Sequence, residues 1–169
     1  MDYSEGRPTE PPLAPGVEVV FCLRSYQPEH ETERIVPTGR SHLVIELDDQ
    51  PRRIIDPETR KTLQICAGSW VSGVHSRCFT ISTGCPKFRL AVVQFAPGGA
   101  GLFLGRNMSG LNNRVVPGDD VFGSSVNELR ECLCKIGEGA AVVAELETWL
   151  WERHCIEWST GQEAATGFN

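Results

Sequence analysis

The 169-residue chain has no apolar run approaching the ~20 residues needed to span a bilayer, so no membrane-crossing helix is expected. Its start, MDYSEGRPTEPPLAPG, has neither a basic opening nor a hydrophobic stretch, which excludes a secretory signal there and makes the cytoplasm the expected compartment. Positive charge is also scarce. Sixteen Lys and Arg face 22 Asp and Glu, for a formal charge of −6. Residues 1–119 balance at 13 of each sign, whereas residues 120–169 hold 3 basic against 9 acidic side chains. A duplex-binding surface requires a basic patch, and none is present. Only four histidines occur, at positions 30, 42, 75 and 154, with no His-x-His pair on any strand. His42 and Glu46 share a strand face near His75, but without that pair neither a metal nor a cofactor is expected.

Other absences narrow the chemistry further. Gly68-Ser-Trp-Val-Ser72-Gly73 lacks the one-residue spacing of a nucleophile elbow. Gly99-x-Gly101 follows a strand but lacks the long helix and acidic partner of a dinucleotide loop. The seven cysteines are odd in number and lie mostly in apolar stretches, as reduced core residues do. Cys132-x-Cys134 falls inside a helix, where i and i+2 point to different faces and cannot converge on one zinc. Cys85, before a proline in a turn, is the one thiol expected near the surface.

What is present is a succession of short strands. Val17–Arg24 alternates with period two, and in Ser41–Leu47 the residues Leu43, Ile45 and Leu47 face one way, with His42, Val44 and Glu46 the other. Pro37-Thr38-Gly39 reads as a turn. Glu33–Val36, Arg53–Ile55, Thr62–Ala67, Ser69–Val74 and Cys78–Ser82 follow as strands, and Lys87–Ala96 is apolar on both faces and therefore central. After Pro97 the pattern changes to short helical turns. Ser125-Val-Asn-Glu128 then has the form of a capping box. It opens a helix with Val126, Leu129, Leu133 and Ile136 on one face, closed by Gly137. A second helix is expected over 140–154, with a wide apolar stripe.

Strands first and helices second predict a mainly β, α+β chain: a β-barrel or sandwich followed by an antiparallel helix pair. The boundaries read as an extended, poorly packed segment over 1–16, the β region over 17–97, a helical region over 98–157 and a tail over 158–169. Trp149, Trp151 and Trp158 give the last helix more aromatic surface than a small sheet covers, which points to self-association.

Several blocks together, PPLAPGVEVVFCLRS, ERIVPTGRSHLVIEL, AGSWVSGVHSRCFTIST and KFRLAVVQFAPGGAGLFLGRNMSGLNNRVVPGDDVFG, resemble in order and spacing the N-terminal sensor region of a branch of AraC-type bacterial transcription regulators. The most specific elements are Phe95-Ala-Pro-Gly-Gly-Ala100 and Leu111-Asn-Asn-Arg-Val-Val-Pro-Gly-Asp-Asp120. The resemblance covers about residues 11–153. Where that family has Pro-Asp-Gly-Cys, this chain has Pro37-Thr38-Gly39-Arg40, so the pocket chemistry at this turn does not carry over.

The resemblance implies a cupin-like barrel that binds a small-molecule effector, helices that mediate homodimerisation, and no catalysis. DNA contact would pass through a C-terminal helix-turn-helix domain absent from these 169 residues. The expected effector site is Arg34, Arg40 and His42 at one turn, with Trp70 and His75 on neighbouring strands, where arginine suits an anionic or carbonyl group and Trp70 offers a stacking face. Leu146, Trp149, Leu150 and Arg153 are the expected dimer contacts, supported internally by Leu129 and Leu133. The rival reading is a small cupin-type enzyme, an isomerase or metal-dependent oxygenase; a third is an interaction module whose barrel is filled by its own side chains.

Overall fold

The computed structural model describes residues 1–83, 88–104 and 108–166, with side chains up to 154. Its chain order is β1 (Asp2–Gly6), β2 (Val17–Tyr26), β3 (Thr32–Ile35), β4 (His42–Glu46), β5 (Arg52–Ile55), β6 (Thr62–Cys66), β7 (Ser69–Ser72), β8 (Phe79–Ser82) and β9 (Phe88–Phe95). Helix α1 (Gly101–Leu104), a 3-10 turn at Met108–Leu111, strand β10 (Val115–Pro117) and helices α2 (Gly118–Phe122), α3 (Ser125–Lys135) and α4 (Gly139–Thr166) follow. The fold is thus mainly β with C-terminal helices. All described strand pairings are antiparallel, in a six-stranded sheet of order β1-β2-β9-β4-β7-β10 and a four-stranded sheet of order β3-β8-β5-β6.

The period-two pattern of β4 sorts its side chains between two environments. Leu43, Ile45 and Leu47 enter the main core, which the six-stranded sheet shares with the helices, while His42, Val44 and Glu46 face the space between the sheets. On β9, Ala91, Val93 and Phe95 face the helices and Phe88, Leu90 and Val92 the inter-sheet space, which explains why this strand reads as apolar throughout. β2 pairs with β9 through a register shift between Val17 and Val19, the local effect of one extra residue in a ladder. Beyond it, Val20 and Cys22 enter the helix-side core and Phe21 and Leu23 line the inter-sheet space.

Several expectations change. The first sixteen residues are mostly exposed, yet they are tied down: Asp2–Gly6 pairs with β2 over five residues and Leu13 is buried in the main core. Backbone pairing needs no apolar side chains, so a polar edge strand carries little sequence signal. Within the region read as helical, Val115–Pro117 is a strand on β7, and α4 continues through Thr166, across the boundary placed at 157. Ser125 is no N-cap, because the cap position is Ser124, already in helical geometry at φ −63° and ψ −21°. The Ser125 hydroxyl instead donates to the Phe122 carbonyl at 2.9 Å, since α2 runs almost directly into α3. Gly137 does not close α3 in a left-handed cap; the chain leaves through extended Ile136, and the Gly137 carbonyl accepts from Arg24.

The Pro97-Gly-Gly-Ala turn serves packing. Gly98 sits at φ +76°, and a Cβ on Gly99 would come within 2.3 Å of the Gly16 carbonyl oxygen. These glycines let the end of β9 lie against the turn that opens β2, where Ala96 N–H donates to Gly16.

Candidate functional site

Between the two sheets lies a cavity of about 320 Å³. From the six-stranded sheet, Phe21 and Leu23 of β2, Val44 of β4, Trp70 of β7 and Leu90 and Val92 of β9 supply an apolar wall. Ile35 of β3 and Phe79 and Ile81 of β8 face them from the four-stranded sheet. A small cluster of Ile54, Cys66, Trp70 and Val115 packs against Val44, Phe79 and Ile81 of this lining, and burial raises the Cys66 thiol to about 11, well away from a reactive thiolate.

Polar groups are confined to a few places in this lining. At one end, Glu46 and Arg52 form a buried, two-pronged ion pair: Arg52 Nε donates to Glu46 Oε1 at 2.9 Å and Nη2 to Oε2 at 2.8 Å. Arg52 also donates to Asp48 Oδ2 at 3.2 Å and to the Thr83 carbonyl, and its guanidinium lies over the Phe88 ring at 4.6 Å. Burial pushes the Glu46 carboxyl up, and the Arg52 hydrogen bonds oppose that push. From outside, Arg130 of α3 donates to the Glu46 carbonyl at 2.7 Å and the Asp48 carbonyl at 2.9 Å, and pairs with Asp49 at 3.0 Å. A helix is thereby tied to the same turn that holds the cavity's ion pair.

At another place on the wall, His42 and Ser72 occupy opposed positions on β4 and β7. His42 Nε2 donates to Gln94 Oε1 at 3.3 Å, while Ser72 Oγ lies 3.1 Å from His75 Nε2. Burial lowers the basicity of both imidazoles; Arg40 lowers His42 further, and His42 does the same to His75. Glu33, with Tyr26 beside it, lines the cavity from β3, and its half-buried carboxylate is 3.4 Å from His30.

Of the five expected effector residues, His42 and Trp70 line this cavity. His75 stands behind it, its ring 4.6 Å from Phe79 and its outer side on a separate cleft with Arg77 and Arg114. Arg40 and Arg34 do not line it. Arg40, in the turn before β4, is held by Glu18 of β2 in a two-pronged pair, with 3.0 Å from Nη2 to Oε1, and Arg34 faces solvent beside Thr32, Arg60 and Thr80. The structure therefore does not bring Arg34 or Arg40 into this cavity. The arginine in the lining is Arg52, whose charge is met by Glu46. Its inward position was readable from parity with buried Ile54, on a strand whose start was placed one residue late.

Of the expected dimer contacts, the two leucines lie inside the chain's own core, while Trp149 and Arg153 are partly exposed. Leu146 and Leu150 are fully buried in the chain's own core, as Leu133 is, with Leu129 nearly so, and no partner can reach them. Trp149 packs edge-on against Phe122 at 5.2 Å, and Arg153 lies over the same ring at 5.5 Å. Trp158 and Cys85 lie outside the described side chains. Among the described residues, no group of three or more His, Cys, Asp or Glu is arranged to hold a metal ion, and no helix is long and apolar enough to cross a membrane.

No curated protein matches this chain. One family profile does, a domain of unknown function, over residues 6–117, more than half of the chain. The match takes in β2 to β10 and so every strand that lines the cavity; it ends at Pro117, where the run of helices α2 to α4 begins. On that match the chain belongs to the DUF6597 family.

Proposed function

We propose that this chain is the ligand-sensing and dimerisation domain of an AraC-type transcription regulator, with a cupin-like pair of sheets that takes a small effector and performs no catalysis on it. The observation that carries this reading is the apolar inter-sheet cavity, whose buried ion pair is built on the turn that Arg130 ties to α3. Pockets of about 300 Å³ and more, apolar with a few placed polar groups, are the usual form of a small-molecule site. A ligand that repositions Arg52 or Glu46 acts on a turn already bonded to a helix. Such a ligand shifts the helices only by its difference in affinity for the two arrangements.

Dimerisation belongs in this reading to the outer side of α4. Ala141, Ala144, Thr148 and Trp151 are all exposed, and their spacing of three and four residues places them on one face. Trp151 is 46% exposed, an unusual position for a large ring on a chain without a partner.

A thermal-shift screen against small metabolites, followed by sedimentation of the chain with and without each hit, tests the proposal. A ligand that binds the folded state raises Tm by mass action, and a sensor ligand also shifts the monomer–dimer balance. Ligands that stabilise the chain without moving that balance argue against the relay. Absence of any stabilising ligand favours a barrel that serves only as a scaffold. The enzyme alternative draws on the His42 and His75 imidazoles near the cavity; stoichiometric iron, manganese or zinc in the purified protein, or turnover of a bound hit, would move the assignment to a cupin-type isomerase or oxygenase.

A further inference from the structure

The two buried charges of the cavity lining, Glu46 and Arg52, are already spent on one another. Arg52, the cation of the lining, is engaged by both Glu46 oxygens, by Asp48 and by the Thr83 carbonyl. A ligand carboxylate would have to displace the 2.8 Å and 2.9 Å bonds of that pair and leave Glu46 buried without its partner. A ligand ammonium finds Glu46 equally occupied; the other carboxylate of the lining, Glu33, stays half open to water beside His30. Burial in a mainly apolar cavity therefore penalises charge of either sign.

Polar capacity that an uncharged group can use lies at His42 and Ser72. Ser72 Oγ can donate and accept, and its contact at 3.1 Å to His75 uses only part of that capacity. Both imidazoles are shifted toward the neutral form, so this end of the cavity carries dipoles in place of charge. Trp70, Phe21 and Phe79 around the same space supply flat apolar surface for a ring. The volume of about 320 Å³ has room for a guest of one or two rings.

Resting on the sensor reading of this cavity, we propose that its ligand is an uncharged, mainly apolar molecule of one or two rings whose single hydroxyl-type group meets His42 and Ser72. The test compares three probes of one skeleton by calorimetric titration of the full chain at neutral pH: 2-naphthol, 2-naphthoate and 2-naphthylmethylammonium. The alcohol is expected to bind at least about tenfold more tightly than either ion, because the carboxylate must give up its hydration where Arg52 is already engaged, and the ammonium where only the half-open, water-facing Glu33 can meet it. Ser72→Ala is expected to weaken the alcohol about threefold to tenfold, the worth of one hydrogen bond. Val44→Phe, or Leu90→Trp where the first does not unfold cooperatively, is expected to abolish binding by filling the space.

Equal or tighter binding of either ion overturns the proposal. So does failure of all three probes to bind, an unchanged alcohol affinity in Ser72→Ala, or retained binding in a filled variant that folds. Binding of the alcohol without change in sedimentation leaves the ligand class standing and counts against the relay, so the two readings fail separately.

Discussion

At the residue scale, two buried polar positions differ in what they do to stability. The His42 imidazole is held below the usual histidine range of 6.5 chiefly by burial, so between that value and its folded pKa the unfolded chain binds more protons than the folded one. Stability then rises with pH through this window and is lost as pH falls below 6.5. His42→Gln, which keeps a polar group of similar reach, is expected to flatten the dependence, seen as a smaller difference in urea midpoint between pH 7 and pH 5.5. An unchanged slope would assign it elsewhere. Arg52 behaves differently, because removing one member of a buried pair strands the other. Arg52→Ala is expected to cost about 3–5 kcal/mol in urea unfolding, whereas the double change Arg52→Met with Glu46→Leu recovers most of that loss. Much of this site was hidden in the sequence for a simple reason. Alternation along β4 placed His42, Val44 and Glu46 on one face, but which basic side chain meets Glu46 depends on how the turn after β4 carries Arg52, six residues on, into the facing sheet. Arg34 and Arg40 stand nearer the expected turn, yet Glu18, a residue of a distant strand, claims Arg40.

At the element scale, the helices show how far an amphipathic stripe can be interpreted. The apolar face of α4 was legible, but the pattern is silent on whether a sheet of the same chain or a second copy covers it. The structure assigns Leu146 and Leu150 to the chain's own core and leaves Trp151 outside. Two substitutions on the same helix separate these roles. Leu150→Ala is expected to cost about 2–5 kcal/mol of stability, as loss of a fully buried leucine does, whatever the protein concentration. Trp151→Glu is expected to leave the Tm of a dilute sample nearly unchanged and to shift sedimentation toward monomer. Dissociation by neither variant would remove α4 from the dimer contact. The strands repeat this lesson. β9, apolar on both faces, was recognisable as central because both of its sides are covered. β1 was not, since the DYSEG edge strand is held by backbone bonds to β2 and Tyr3 remains half exposed. The capping motif at Ser125 misled because a helix directly before it supplies the hydrogen-bond partner that the motif alone does not anticipate.

At the scale of the whole molecule, the two sheets are unequal partners. The six-stranded sheet contributes to the main core with the helices, a cluster of buried residues that runs from Leu13 to Leu150. The four-stranded sheet is anchored chiefly through Ile54, Cys66 and their neighbours, and its edge strand β6 leaves Leu63 and Ile65 about two-thirds exposed. The space that a larger core would fill is the cavity itself. A sheet with few buried apolar contacts opens at lower free energy than one packed on both faces. Native-state hydrogen exchange is therefore expected to show the amides of β5, β6 and β8 exchanging faster than those of β2, β4 and β9, by an opening smaller than global unfolding. A ligand seated between the sheets adds the missing contacts, so saturating 2-naphthol is expected to slow exchange in β5 and β8 more than in β2, where the helices already limit opening. Uniform protection across both sheets would mean that they open as one unit. In that case, the weak anchoring of the smaller sheet would not be the entry route for a guest.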